Sequence, residues 1–223
     1  MSTSQGEAQL PPVRKRKRKA WTSDEARRFL ESARADDDPL YAAYVLVLVL
    51  GLRKGEMLGL TWPDVDLDTE ELTIDRQLQR AGVELLHREA KTAASDATLP
   101  LPDICTVALD RRRAAQTAAR DAAGPARQLS DLIVTTRYGR PVEPRNVNRF
   151  WGRRCDAAGV RRITVRDARR TCASLLADLD VHPRVAMQIL RHAQFAITME
   201  IYTVVSSAAT RDALKRLGSA LDR

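Results

Sequence analysis

The chain has 223 residues, 44% of them hydrophobic and 30% charged, a globular composition with enough apolar mass for one sizeable core and too much for a disordered chain. Aromatics make up only 4%, which argues against a β-sandwich or a single-strand binder built on stacked rings. The 37 basic and 29 acidic side chains give a net charge of +8, but a run of six, Arg14, Lys15, Arg16, Lys17, Arg18 and Lys19, and an arginine-rich segment from Arg137 to Arg170 carry the whole excess. A basic arm and a basic segment on a mildly acidic body point to a polyanion held at a defined place.

Residues 1–20 read as a disordered basic leader. They contain no apolar run before Pro12, which excludes a secretory signal. Thr22-Ser23-Asp24-Glu25 is a capping-box start for a helix that stops near Asp36-Asp37-Asp38-Pro39. Leu40 to Leu50 is apolar nearly all round, too short to cross a bilayer and suited to a buried helix. Gly51 allows a break, and a short helix follows from about Lys54 to Leu60. From Trp62 to Pro102 the pattern alternates, with Val65 and Leu67, then Leu72 and Ile74, then Val83 and Leu85, and predicts a small antiparallel sheet of about three strands. Helices are expected at Pro102–Ala119, Arg145–Ala158, Arg166–Asp178, Pro183–Arg191, Ile197–Val204 and Ser207–Leu221. Gly124–Leu129 is a loop and Leu132–Thr135 a short extended piece. The fold class is therefore mainly α with a small three-stranded antiparallel β-sheet, in one domain with a tail. Cys105, Cys155 and Cys172 are odd in number and far apart, which suits reduced thiols in a cytoplasmic protein and neither a disulfide framework nor a zinc site.

Three constellations carry chemistry. Arg53 and Glu56, three apart in an apolar stretch, share a helix face and pair; they form either a structural ion pair or a guanidinium held to grip phosphate with its fork. Arg166, Arg169 and Arg170 fall at i, i+3 and i+4 at a helix start. There they repel one another and the positive helix end, costs that a bound anion offsets and that an idle exposed stripe does not. His192 and Tyr202 are, taken singly, ordinary packing residues.

Their order decides the matter. Arg-x-x-Glu, a lysine in a β-hairpin, an x-x-Arg box, Leu-x-His and then a tyrosine ten residues on resemble the catalytic domain of the tyrosine recombinase (phage-type integrase) family, over about Trp21 to Leu221. The resemblance implies that Arg53 and Arg169 are the two catalytic arginines, Glu56 the supporting carboxylate, Lys91 the hairpin lysine, His192 the third-box histidine and Tyr202 the nucleophile. Arg166 stands where the family usually has histidine, able to donate to a phosphate oxygen but a poor general base. Arg170 replaces a second common histidine, and Arg191 the usual glycine before His192. The implied activity is DNA strand cleavage and rejoining through a 3′-phosphotyrosyl intermediate. It needs neither metal nor other cofactor, because the link stores the bond energy. The implied partner is double-stranded DNA, with a monomer when free, a tetramer on paired sites, no membrane and no small-molecule substrate.

Members of the family generally carry an N-terminal core-binding domain, and the basic leader is expected to stand in its place here. Residues 21–223 are expected to be the catalytic domain alone, with the run Arg14–Lys19 in place of the interdomain linker along the phosphate backbone. Arg145, Arg149 and Arg170 are further candidates for DNA contact. Rival readings are a DNA-binding remnant that lost turnover, a relaxing enzyme like type IB topoisomerases, and a winged-helix-type regulator reading DNA with Arg145–Ala158. The last leaves Arg53, Lys91 and Tyr202 without a shared purpose.

Overall fold

The computed structural model describes residues 20–89, 97–123, 128–191 and Lys215. Helix α1 (Ser23–Ala35) opens on the expected capping box, Thr22 Oγ1 accepting from the Glu25 N–H and the Glu25 carboxylate from the Thr22 N–H. It buries Ala26, Phe29 and Ala33, one stripe at helical spacing. Helix α2 (Tyr41–Val49) is buried from Ala42 to Leu48, as its all-apolar sequence requires, and packs against α1. Phe29, Tyr44, Trp21 and Trp151 meet in one aromatic cluster, with Phe29–Trp151 centroids 4.7 Å apart and Tyr44–Trp151 5.2 Å. The cluster joins three helices, because Trp151 comes from α5 (Pro144–Ala157).

Gly51 ends α2 at φ +61°, and a Cβ there would lie 2.6 Å from Leu190 Cδ2. Only glycine suits both the left-handed backbone and the close approach. The chain then enters α3 (Lys54–Gly59). A single 3₁₀ turn, Trp62–Asp64, leads into the strands.

The β region holds more than the alternation predicts. Strands β1 (Val65–Asp66), β2 (Glu71–Ile74) and β5 (Ala97–Pro100) form a three-stranded antiparallel sheet, in register Val65↔Leu72 and Leu72↔Leu99, whose third strand is Ala97–Pro100 and not the expected run at Val83 and Leu85. A second, two-stranded ribbon pairs β3 (Arg76–Ala81) with β4 (Glu84–Glu89), Leu78 opposite His87. Strand β3 lacks an alternating signal because Leu78 is its one buried residue. Leu67 lies outside the strands, and Val83 is 92% exposed at the ribbon's turn. The ribbon lies on α3: a Cβ on Gly59 would come within 2.8 Å of the Gln77 backbone, and the His87 Nε2 hydrogen-bonds the Gly59 carbonyl at 2.7 Å.

Helix α4 (Asp103–Ala123) runs one turn beyond its predicted end and packs on α2. The short extended piece expected at Leu132–Thr135 is reduced to two isolated bridges, Leu132 to Thr61 and Thr135 to Pro141, with a bend at 133–134 between them. Helix α6 (Val165–Asp178) starts on a second capping box, Thr164 with Asp167. Helix α7 (Pro183–Leu190) has its proline at the first position, where the missing N–H is harmless. The helices expected at Ile197–Val204 and Ser207–Leu221 lie outside the described residues, except that Lys215 is helical. The leader's basic run, Arg14 to Lys19, also lies outside them. Cys105, Cys155 and Cys172 are buried free thiols. No helix among the described residues is long and apolar enough to cross a membrane.

Candidate active site

Arg53 is the residue before α3, with extended backbone (φ −71°, ψ 151°), and Glu56 is the third residue of that helix. The Arg53 N–H donates to Glu56 Oε2 at 2.8 Å and its Nη1 to Glu56 Oε1. The carboxylate thereby satisfies an open helix N–H and fixes the guanidinium in one step. The Glu56 side chain is only 3% exposed, whereas that of Arg53 is 41% exposed. The pair is anchored on its acidic side and open on its basic side.

Arg169, in the second turn of α6, is half-buried. Its Nη1 donates to the Gly51 carbonyl at 2.6 Å and its Nη2 to the Leu190 carbonyl. Arg53 Nη2 donates to the next carbonyl in the chain, that of Arg191, at 3.0 Å. The two arginines are therefore brought together by adjacent peptide groups, whose Cα atoms are ~3.8 Å apart, at the end of α7. The last carbonyls of a helix lack partners within it and carry its negative pole, so guanidiniums are their natural donors. Among the described residues, these bonds leave most of the N–H groups of each guanidinium without a protein acceptor.

Burial, then the charges of Arg53 and Arg191, lower the Arg169 pKa from 12.5 to about 10. Burial alone would raise the Glu56 carboxyl; the charge of Arg191, followed by the bonds and charge of Arg53, outweighs it and holds the group below its ordinary value. Three guanidiniums around one carboxylate leave the cluster cationic, an environment that favours an anion.

The three arginines at i, i+3 and i+4 of α6 do not form one exposed stripe. Arg169 turns inward to the carbonyls, while Arg166 and Arg170 are exposed and Arg170 lies 3.5 Å from Asp167. Residues three and four apart share a face only approximately, and here Arg169 points to the α2–α3 turn. The basic segment is also less free than its charge count suggests. Arg154 is 13% exposed and bonded to Asp36 and Asp38, Arg161 reaches Glu25, and Arg162 pairs with Asp156. Arg145 and Arg149 are exposed on α5, and Arg153 continues their stripe one turn on, opposite buried Val147, Trp151 and Cys155. Lys91, His192 and Tyr202 lie outside the described residues. In the chain, Lys91 is two residues beyond the end of β4 and His192 directly follows Arg191.

The residue the sequence undervalues is Arg191. It has the left-handed backbone (φ 52°, ψ 48°) that suits the glycine it replaces and is disfavoured by roughly 1–2 kcal/mol for other residues. Its side chain is 1% exposed and donates to Glu56 Oε2 at 2.8 Å. An arginine at a glycine position was the available signal; that its side chain would fold inward was not legible.

Residues 19–208 match the model of the phage integrase family, and the chain belongs to that family. It is 27% identical over 191 residues to a "tyrosine recombinase XerC-like" protein of Caldanaerobacter subterraneus subsp. tengcongensis, covering 80% of this chain and 49% of that protein. It is 30% identical over 196 residues to an integrase of Streptomyces ambofaciens, covering 82% and 48%. The chain thus spans about half the length of the curated relatives it matches. Its fold is similar to that of the Tn1549 transposon integrase in complex with transposon right end DNA, with a TM-score of 0.80 at 20% identity over 93% of this chain and 69% of the other. It is also similar to XerA recombinase, with a TM-score of 0.66 at 23% identity over 88% and 64%.

Proposed function

We propose that this chain is the catalytic domain of a site-specific DNA recombinase, cutting and rejoining strands through a 3′-phosphotyrosyl link. The observation that carries the reading is the seating of Arg53 and Arg169 on successive carbonyls at the end of α7, directly before His192 in the chain. Family membership supports it, as do relatives named integrase and tyrosine recombinase.

The Tyr202 phenol attacks the scissile phosphorus and loses its proton to solvent or a phosphate oxygen, since Arg166 is a poor base. The bond to the 5′-oxygen breaks, and that oxygen takes a proton from Lys91. A lysine suits this role because neighbouring positive charge lowers its pKa, which arginine does not match. A phenol with a pKa near 10 is a poor nucleophile unless the pentavalent phosphorus is stabilised. Arg53, Arg169 and an imidazole N–H of His192 neutralise the charge that builds on its oxygens. Glu56 holds Arg53 in place. The 5′-hydroxyl of a partner strand then reverses the step, and the energy kept in the link drives resealing.

In this reading, residues 21–223 are the catalytic unit and residues 1–20 a leader whose basic run lies along the phosphate backbone. Arg145, Arg149, Arg166 and Arg170 lie on the outer surface of α5 and α6 and add contacts to double-stranded DNA. The chain is monomeric alone and tetrameric on paired sites, acting in the cytoplasm.

The test is a nicked suicide duplex that traps the covalent adduct. The wild-type chain forms it, Tyr202→Phe forms none, and Arg169→Ala slows it by about 10²–10³-fold. Duplex binding without any adduct would favour a DNA-binding remnant. Supercoil relaxation without recombinant product would favour a topoisomerase-like enzyme.

A further inference from the structure

Arg191 has no part in the chemistry just described, yet its side chain is more deeply buried than that of Arg53. Its Nη2 donates to Glu56 Oε2 at 2.8 Å, and its Nη1 to the carbonyls of Ile189 at 2.9 Å and Leu50 at 3.4 Å. Its Nε has no partner among the described residues. Its own carbonyl accepts from Arg53 Nη2 at 3.0 Å, and Glu56, which it grips, accepts from Arg53 Nη1 through the other oxygen. Arg191 therefore controls Arg53 from two directions, through the backbone and through a shared carboxylate.

A helix end at this backbone conformation needs only glycine, which would carry neither the left-handed strain nor a charge to desolvate. A long cationic side chain here accepts both costs, and its one ionic bond among the described residues is to the carboxylate that orients Arg53. Without it, among the described residues only Arg53 itself, by its N–H and its Nη1, hydrogen-bonds the carboxylate that orients it.

We propose that Arg191 is a positioning residue for the strand-cleavage reaction, a second guanidinium that locks Glu56 and thereby fixes the angle at which Arg53 meets the phosphate. The proposal rests on the recombinase reading for its consequence in catalysis, while the lock on Glu56 is observable without DNA. It also assigns the third positive charge of the cluster a role, because Arg191 supplies potential without spending donors on the substrate.

The experiment uses the full chain with R191G, which removes the lock and relieves the backbone, and R191K, which keeps the charge but loses the fork. Adduct formation on a nicked duplex, duplex affinity and the Glu56 carboxyl titration by NMR are measured for each. R191G is expected to slow adduct formation by about 10- to 100-fold with affinity little changed, R191K to fall between, and the acid limb of the rate to move to higher pH as the Glu56 carboxyl rises. A merely structural residue would move stability but not that limb. Wild-type rate and acid limb in R191G overturn the proposal, and if R191G does not fold, a wild-type rate in R191K does so. If the wild-type chain forms no adduct, the recombinase reading fails. The Glu56 titration then decides the lock: an upward move in R191G supports it, and an unchanged one overturns it.

Discussion

Arg169 combines two opposing demands on one side chain. It is charged at neutral pH, yet burial and two neighbouring guanidiniums depress its pKa from 12.5 to about 10. A base whose folded pKa lies below its unfolded one binds its proton less well when folded. Stability therefore rises as pH climbs above about 10 toward the ordinary guanidinium range, and below that window the buried charge is a net cost to the fold. An anion in the cluster relieves this cost. We predict that orthovanadate, which mimics a pentavalent phosphorus, raises Tm saturably, by about 2–4 °C for each kcal/mol of binding linkage. Arg169→Met should abolish the effect, and an equal rise in that variant would separate the anion from the site. The Arg53–Glu56 pairing was legible from a spacing of three in a helix, whereas the sharing of Glu56 with Arg191, 135 positions away, was not.

The helices divide the arginines between structure and surface. On α5, Val147, Trp151 and Cys155 are buried and Arg145, Arg149 and Arg153 face outward at steps of four. A periodicity of 3.6 puts the two sets on opposite faces, so the outer set is available to a polyanion without disturbing the core. Replacing the three by glutamine should leave Tm almost unchanged and weaken duplex binding. The slope of log affinity against log salt should become shallower by about 1 for each phosphate that these arginines neutralise. A slope equal to wild type would remove α5 from the interface. The helices were readable from capping residues and apolar stripes. Strand β3 was not, because a ribbon covered on one side by α3 needs only Leu78 from its own sequence.

At the scale of the molecule, contacts between distant segments build the site. Trp21 closes the fold on itself: its N–H donates to Thr171 Oγ1 at 3.1 Å, its Nε1 to the Arg161 carbonyl at 2.8 Å, and its ring joins the cluster of Phe29 and Trp151. It thus ties the start of the described chain to α6, which carries Arg169. Trp21→Ala should cost about 3–5 kcal/mol, read as a lowered denaturation midpoint. It should also slow adduct formation if α6 loosens. A midpoint shifted by less than about 1 kcal/mol would mean the ring is not a closing contact.

Local order was determined by the sequence alone. The capping box at Thr22, the apolar run of α2 and the Arg53–Glu56 spacing are each written within a few residues, and short-range physics reads them. The tertiary structure decided which way each charge turns. Arg169 and Arg154 point inward, Arg166 and Arg145 outward, and Arg191 folds into the interior from a glycine position. Those choices depend on acceptors supplied by remote segments, Gly51 and Leu190 for Arg169 and Glu56 for Arg191, and no local pattern encodes where such partners will lie.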